Sequence, residues 1–167
     1  ILKRLQQIIA HQTKIMMMML LMLNIQKNNR TSNSIYYKAK EDRFNLMKAT
    51  NCNFSQIYAL YMEEKHLTLK TIDECSQCTP ELEFTDSDDV THRLWIVTDE
   101  KIINKLVDDF AHRRLYIADG HHRYETALNY RNYCRENGIS KEGDAQDYQM
   151  IYLVDMDHPG LVVFPTH

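Results

Sequence analysis

Two imidazoles, a guanidinium and a carboxylate fall inside five consecutive residues of this chain, His121-His122-Arg123-Tyr124-Glu125. They follow Asp119-Gly120, where an apolar strand-like run, residues 115–118, comes to a stop and a helix-like pattern starts. Packing gives no reason to gather these groups on one strand-to-helix corner. Three side chains that can carry positive charge at the positive end of a helix dipole cost stability, and such local conflicts concentrate at functional sites. Gly120 lets the chain turn sharply and lets a ligand approach the backbone. The first amides of the helix face outward with roughly half a positive charge behind them. Arg123 adds a planar fork that matches phosphate oxygens at two points. The chemistry that uses all of these together is anion binding, and phosphate fits best.

The individual residues carry competing readings. Asp119 is either the cap of the helix or a contact for a metal or a hydroxyl group. Glu125 either does chemistry or balances Arg123 on the helix surface. Tyr124 and Leu128 read as core. A metal-dependent hydrolase built on His121, His122 and Asp119 is a further reading, opposed by geometry, because neighbours on a helix point about 100° apart. Asp155, Asp157 and His158 follow a late strand and precede Pro159-Gly160. They could hold a divalent cation with oxygen and nitrogen ligands, or be ordinary solvated turn residues. Asp99 is placed to line the same sheet edge as the corner, and His92-Arg93 less so.

The elements that would position the corner can be read from periodicity. Lys40–Thr50 suits a short helix with Phe44 and Met47 on one face. Phe54–Tyr61 reads as a buried strand and Glu63–Cys75 as a helix that ends before Pro80. The acidic run Asp86-Ser-Asp-Asp89 separates two strands, Glu81–Thr85 and Val90–Val97. The apolar stretch Leu94-Trp-Ile-Val97 suggests a strand covered on both faces. Asp99–Ala111 is the clearest helix, capped by Thr98, with Ile102, Ile103, Leu106, Val107 and Phe110 on one stripe. A strand, this helix and the strand before the corner predict a parallel pair joined by a crossover. The helix His121–Asn137 follows, its inner face carrying Tyr124, Ala127, Leu128 and Cys134, and Gly138 ends it. Tyr148–Asp155 is the last strand. The expected fold class is α/β: a mixed sheet with a strand-helix-strand-helix-strand core, spanning residues 38–167. Ligands in such sheets bind beyond the carboxyl ends of strands, where the corner lies.

Bulk properties narrow the classes. The chain has 167 residues, 44% of them hydrophobic and 26% charged, which is the composition of a globular protein. A net charge of −3 argues against a nucleic-acid-coating protein, whose affinity comes from clustered cations. Ile15–Leu23 is an unbroken apolar run of nine, short of the roughly 18 residues a membrane span needs. No small-x-small cleavage site follows it, so a cytoplasmic location is expected. Residues 1–37 hold no acidic residue, Gly or Pro, and are expected to be a helical or disordered leader. Cys75 and Cys78 form a lone Cys-x-x-Cys, with Cys52 and Cys134 isolated. Free thiols are the simplest account.

Several long stretches, KAKEDRFNLMKATNCNFSQIYALY, DDVTHRLWIVTD, LYIADGHHRYETALNYRNYCRENG and YLVDMDHPGLVVFPTH, resemble a bacterial family known as the domain of unknown function 1015. The resemblance runs from Lys38 to His167 and implies an internal segment of a longer protein, with residues 1–37 outside it. Gly120-His121-His122-Arg123 also resembles the Gly-x-His-Arg corner of the ParB/sulfiredoxin-like superfamily, in which a strand-to-helix corner holds nucleotide phosphates. His121 stands where sulfiredoxins carry their catalytic Cys, so sulfinic-acid reduction is not implied. Free serine kinases of that superfamily are the closer chemical likeness, with a catalytic carboxylate upstream of the corner. The implied activity is a nucleotide-binding phosphotransferase acting on a small hydroxyl metabolite. Gly120, His121, His122 and Arg123 would hold ATP or ADP, Asp119 would share Mg²⁺ with it, and Asp119, His122 and Glu125 would be the catalytic candidates. The alternative is a non-enzymatic, ParB-like nucleotide-gated module associated with DNA. No helix-turn-helix with a basic recognition helix is evident.

Overall fold

The computed structural model describes residues 19–22 and 37–161. The fold is α/β with a mixed sheet and helices, as the periodicity predicts. Its strands are β1 (Met19–Met22), β2 (Ile57–Tyr61), β3 (Leu82–Thr85), β4 (Thr91–Leu94), β5 (Tyr116–Asp119) and β6 (Tyr148–Asp155). The helices are α1 (Tyr37–Thr50), α2 (Leu67–Cys75), α3 (Glu100–Ala111) and α4 (His121–Glu136). One four-stranded sheet has the order β1-β6-β2-β5, and β3 and β4 form a separate pair. The chain divides into two compact units, one holding Leu60–Tyr116 and the segment from Leu153, the other Met19–Ala59 and Ile117–Tyr152.

The second of these units carries the corner. β1 lies antiparallel to β6, in register from Met19 opposite Ile151 to Met22 opposite Tyr148. A strand thus forms at residues 19–22, where a helical or disordered leader is expected from the sequence; the remainder of residues 1–36 lies outside the described residues. Ile57 and Ala59 on β2 and Ile151 on β6 are buried, alternate residues of strands with one face inward. α4 buries Thr126, Tyr130 and Cys134, which recur every four residues along one face. The expected inner face was Tyr124, Ala127, Leu128 and Cys134; of these only Cys134 is buried, and the other three are half-buried. α1 packs on α4 through Phe44, whose ring meets Tyr133 edge-on at 5.6 Å and Tyr130 at 6.3 Å. The Tyr130 hydroxyl donates to Asn51 Oδ1, as does Gln146 Nε2, which fixes the loop after α1. Asn137 caps α4, and Gly138 takes φ +67° immediately beyond it, as expected for a helix stopped by glycine.

The other unit is built around an arginine. Leu106 and Phe110 are the buried residues of α3, and each contributes about 1.5–3 kcal/mol of burial. Ile103 and Val107 are exposed, so the apolar stripe is narrower than the sequence suggests. Phe110 meets Tyr61 edge-on at 5.0 Å, and the Arg113 guanidinium lies 4.7 Å from the Phe110 ring centre. Arg113 donates to Thr68 Oγ1 and to Glu63 Oε1, both at 2.8 Å, while the other Glu63 oxygen accepts from the Thr68 amide at 2.9 Å. Burial, then the charges of Asp155 and Glu63, push the Tyr61 phenol well above its ordinary range.

Three sequence expectations fail in this region. Asp99, not Thr98, caps α3: its carboxylate accepts from the amides of Lys101 and Ile102. A carboxylate suits this place better than a hydroxyl, because it also meets the positive end of the dipole. The predicted parallel pair flanking α3 does not form, since β4 pairs antiparallel with β3 in a hairpin and β5 belongs to the larger sheet. β4 stops at Leu94, and Ile96 is exposed, so the run to Val97 is not a strand covered on both faces. A continuous apolar run does not by itself separate a buried strand from an exposed extended segment.

Candidate functional site

The corner is a tight interlock of three residues. β5 ends at Asp119, and Gly120 takes φ +96° as the residue before α4. A Cβ on Gly120 would stand 2.7 Å from Arg123 Nε and 3.2 Å from its Cζ. The backbone angle therefore calls for glycine, and any larger residue would also displace the Arg123 guanidinium lying over it. Arg123 folds back one turn and donates through Nη2 to Asp119 Oδ2 at 2.5 Å. Asp119 does not cap the helix; no side chain does. The first intrahelical bond runs from the Tyr124 amide to the Gly120 carbonyl, so the amides of His121, His122 and Arg123 precede the helical ladder. A helix start with no side-chain cap, a guanidinium already aimed along it and a carboxylate holding that guanidinium can bind an anion. No group of three or more His, Cys, Asp or Glu among the described residues has metal-binding geometry. Magnesium carried by a nucleotide asks for only one or two protein carboxylates, and the half-exposed Asp119 fits that requirement.

The remaining corner residues form a second chain of charges. His121 is exposed. His122 Nδ1 lies 3.6 Å from Glu125 Oε2, and the same oxygen meets Lys40 of α1. The hydrogen bond from Lys40 holds the Glu125 carboxyl below its ordinary range, with burial opposing and His122 assisting. Glu125 thus pairs with Lys40 and His122 rather than balancing Arg123. It is ionised at neutral pH.

Beside the corner, α1 and α4 leave a cleft of about 360 Å³, open to solvent, whose lining includes Arg43, Leu46, Asn53, Phe54, Arg123 and Gln149. Arg123 belongs to both features. Arg43 and Asn53 were not singled out in the sequence, and Phe54, expected to open a buried strand, lies exposed in the loop before β2, which starts at Ile57. Nothing in their local pattern marks them, because the cleft arises only when α1 meets a helix some eighty residues later in the chain.

Residues 33–167 match the family described as "Protein of unknown function (DUF1015)". The chain belongs to that family. No curated protein and no solved structure matches it.

The other sequence candidates of this DUF1015 protein have definite structural partners. Asp155 is buried, and its Oδ2 lies 3.1 Å from Nδ1 of His66 while Oδ1 accepts from the Asp157 amide. His66 occupies the left-handed region at φ 48°, a strained position for a histidine, and was missed because its partner lies 89 residues away. Asp157 and His158 are exposed, and His158 Nδ1 accepts from the Gly160 amide, as in a self-bonded turn. His92 stacks on Phe84 and bonds Asp86 at 2.8 Å, which lowers the Asp86 carboxyl. Asp99 serves as a helix cap. Cys52, Cys75, Cys78 and Cys134 are all free thiols, and burial pushes Cys75 up. No helix among the described residues is long and apolar enough to cross a membrane.

Proposed function

We propose that this DUF1015 protein binds a nucleotide, ATP or ADP, at the β5–α4 corner and acts as a phosphotransferase on a small hydroxyl metabolite. The observation that supports the reading is the pre-aimed Arg123, bridged to Asp119 across a glycine at the uncapped start of a helix. Charge-assisted bonds from the amides of His121, His122 and Arg123 and from the guanidinium would hold the phosphates. A phosphate that draws Arg123 toward itself frees the Asp119 carboxylate, which becomes available to a metal ion or to the acceptor hydroxyl. One site thereby couples phosphate binding to the exposure of a carboxylate. Mg²⁺ bound with the nucleotide would supply charge neutralisation of the transferring group. His122, with Glu125 3.6 Å away, and the exposed His121 flank the entrance to the corner. In this reading catalysis consists of positioning and charge neutralisation, with Asp119 as the group that accepts the hydroxyl proton.

The test is calorimetric titration of the chain with ATP and ADP in the presence of Mg²⁺. Arg123→Ala is expected to weaken binding by roughly 10- to 100-fold, the value of one or two charge-assisted bonds. Unchanged affinity in the variant, or no binding by the parent chain, sinks the reading. ADP formation from ATP that depends on an added hydroxyl compound distinguishes a phosphotransferase from a nucleotide-gated module with the same corner.

A further inference from the structure

The cleft between α1 and α4 has features that phosphate binding does not use. Phe54 on its wall is 64% exposed and has no ring partner among the described residues. Leu46 beside it is also exposed, at 46%. Gln149 is buried, at 5% exposure, yet lines the cleft; among the described residues its side chain makes a single long bond, 3.4 Å to the Met150 carbonyl. Asn53 is a second side-chain amide on the lining, and Arg43 an exposed cation with no ion pair among the described residues.

From these we infer that the α1–α4 cleft is a nucleobase subsite, with Phe54 as its stacking face and the amides of Asn53 and Gln149 reading the edge of the base. The inference rests on the nucleotide reading of the corner and assigns the organic half of the same ligand. Several physical points favour a base over a small aliphatic metabolite. A flat exposed aromatic ring gains most from a flat partner, and stacking on it suits any base. A side-chain amide offers a donor and an acceptor together, the combination that a base edge presents. Arg123 lines the cleft and also reaches the corner, so a base in the cleft would place its phosphates toward the guanidinium. Arg43 supplies a second positive charge on the way.

The experiment compares ATP with inorganic tripolyphosphate, which has the phosphates and no base, on the parent chain and on Phe54→Ala. Phe54 is exposed, so the substitution leaves the core intact, as circular dichroism would verify. ATP is expected to bind more tightly than tripolyphosphate, with Phe54→Ala reducing ATP affinity by roughly 5- to 150-fold, the usual value of base stacking, and leaving tripolyphosphate unaffected. A readout that needs no substitution comes from Cys52, an exposed thiol on the same cleft lining. ATP should slow its alkylation several-fold relative to the exposed Cys78, and tripolyphosphate should not. Equal affinity for both ligands, insensitive to Phe54→Ala, overturns the base subsite while the phosphate corner stands. Binding of neither ligand overturns both. Binding of adenosine with Cys52 protection, but not of tripolyphosphate, supports the cleft and removes the phosphate reading.

Discussion

Replacing Gly120 with alanine should cost more than the same change at Gly143, and the excess should depend on Arg123. Both glycines have positive φ, +96° and +88°. Each alanine therefore carries the left-handed backbone penalty of about 1–2 kcal/mol. Nothing lies within 4 Å of a Cβ at Gly143, whereas at Gly120 it meets Arg123 Nε at 2.7 Å. A guanidinium is the far end of a flexible side chain and moves rather than resisting. Moving it costs an off-rotamer arrangement or the bond to Asp119, about 0.5–1.5 kcal/mol for this partly exposed pair. Gly120→Ala should therefore destabilise by about 1.5–3.5 kcal/mol, roughly 3–14 °C in midpoint for a chain of this length. Urea unfolding followed by circular dichroism measures it. In the double variant with Arg123→Ala the excess should vanish, giving a coupling of about 0.5–1.5 kcal/mol in the cycle. Equal costs at the two glycines, with no coupling to Arg123, would show that the side chain does not rest on Gly120 and would undo the interlocked corner.

Asp99→Ala should destabilise by about 0.5–2 kcal/mol through loss of the α3 cap, while Thr98→Ala changes urea stability little; the reverse order refutes the assignment. The Glu125 carboxyl, held by Lys40 below its ordinary value of 4.5, contributes stability that is complete above that value and is lost as the pH falls through the depressed one. Lys40→Met should move the Glu125 titration, followed by carboxyl NMR, back up toward 4.5, and an unmoved titration would mean that Lys40 is not its partner.

Much of the corner was legible because its signals are local. Gly120 announces a backbone that only glycine adopts easily, and the cluster His121-His122-Arg123 contradicts the helix dipole within a single turn. The α/β class, the extent of α4 and the bounds of β6 follow from short-range periodicity in the same way. Asp119 shows the limit of this reasoning. Its residue type allowed a cap or a ligand contact equally, and only the position of the Arg123 guanidinium shows which bond it makes. The cap of α3 likewise needed coordinates, since Thr98 and Asp99 are adjacent and both residue types cap helices.

What the sequence by itself determined is the chemistry available at the end of β5: a sharp turn, the first amides of a helix, a guanidinium and a carboxylate, all within one helical turn of each other. Tertiary structure alone decided what surrounds them. Lys40 reaches Glu125, and Arg43 and Phe54 join Arg123 around one cleft, only because α1 packs on α4 through Phe44 and the Tyr130–Asn51 bond. Asp155 finds His66 by the same kind of closure across a long stretch of chain. Contacts between distant residues depend on burial and shape summed over whole elements, and no short-range pattern of residue types encodes which side chains will meet.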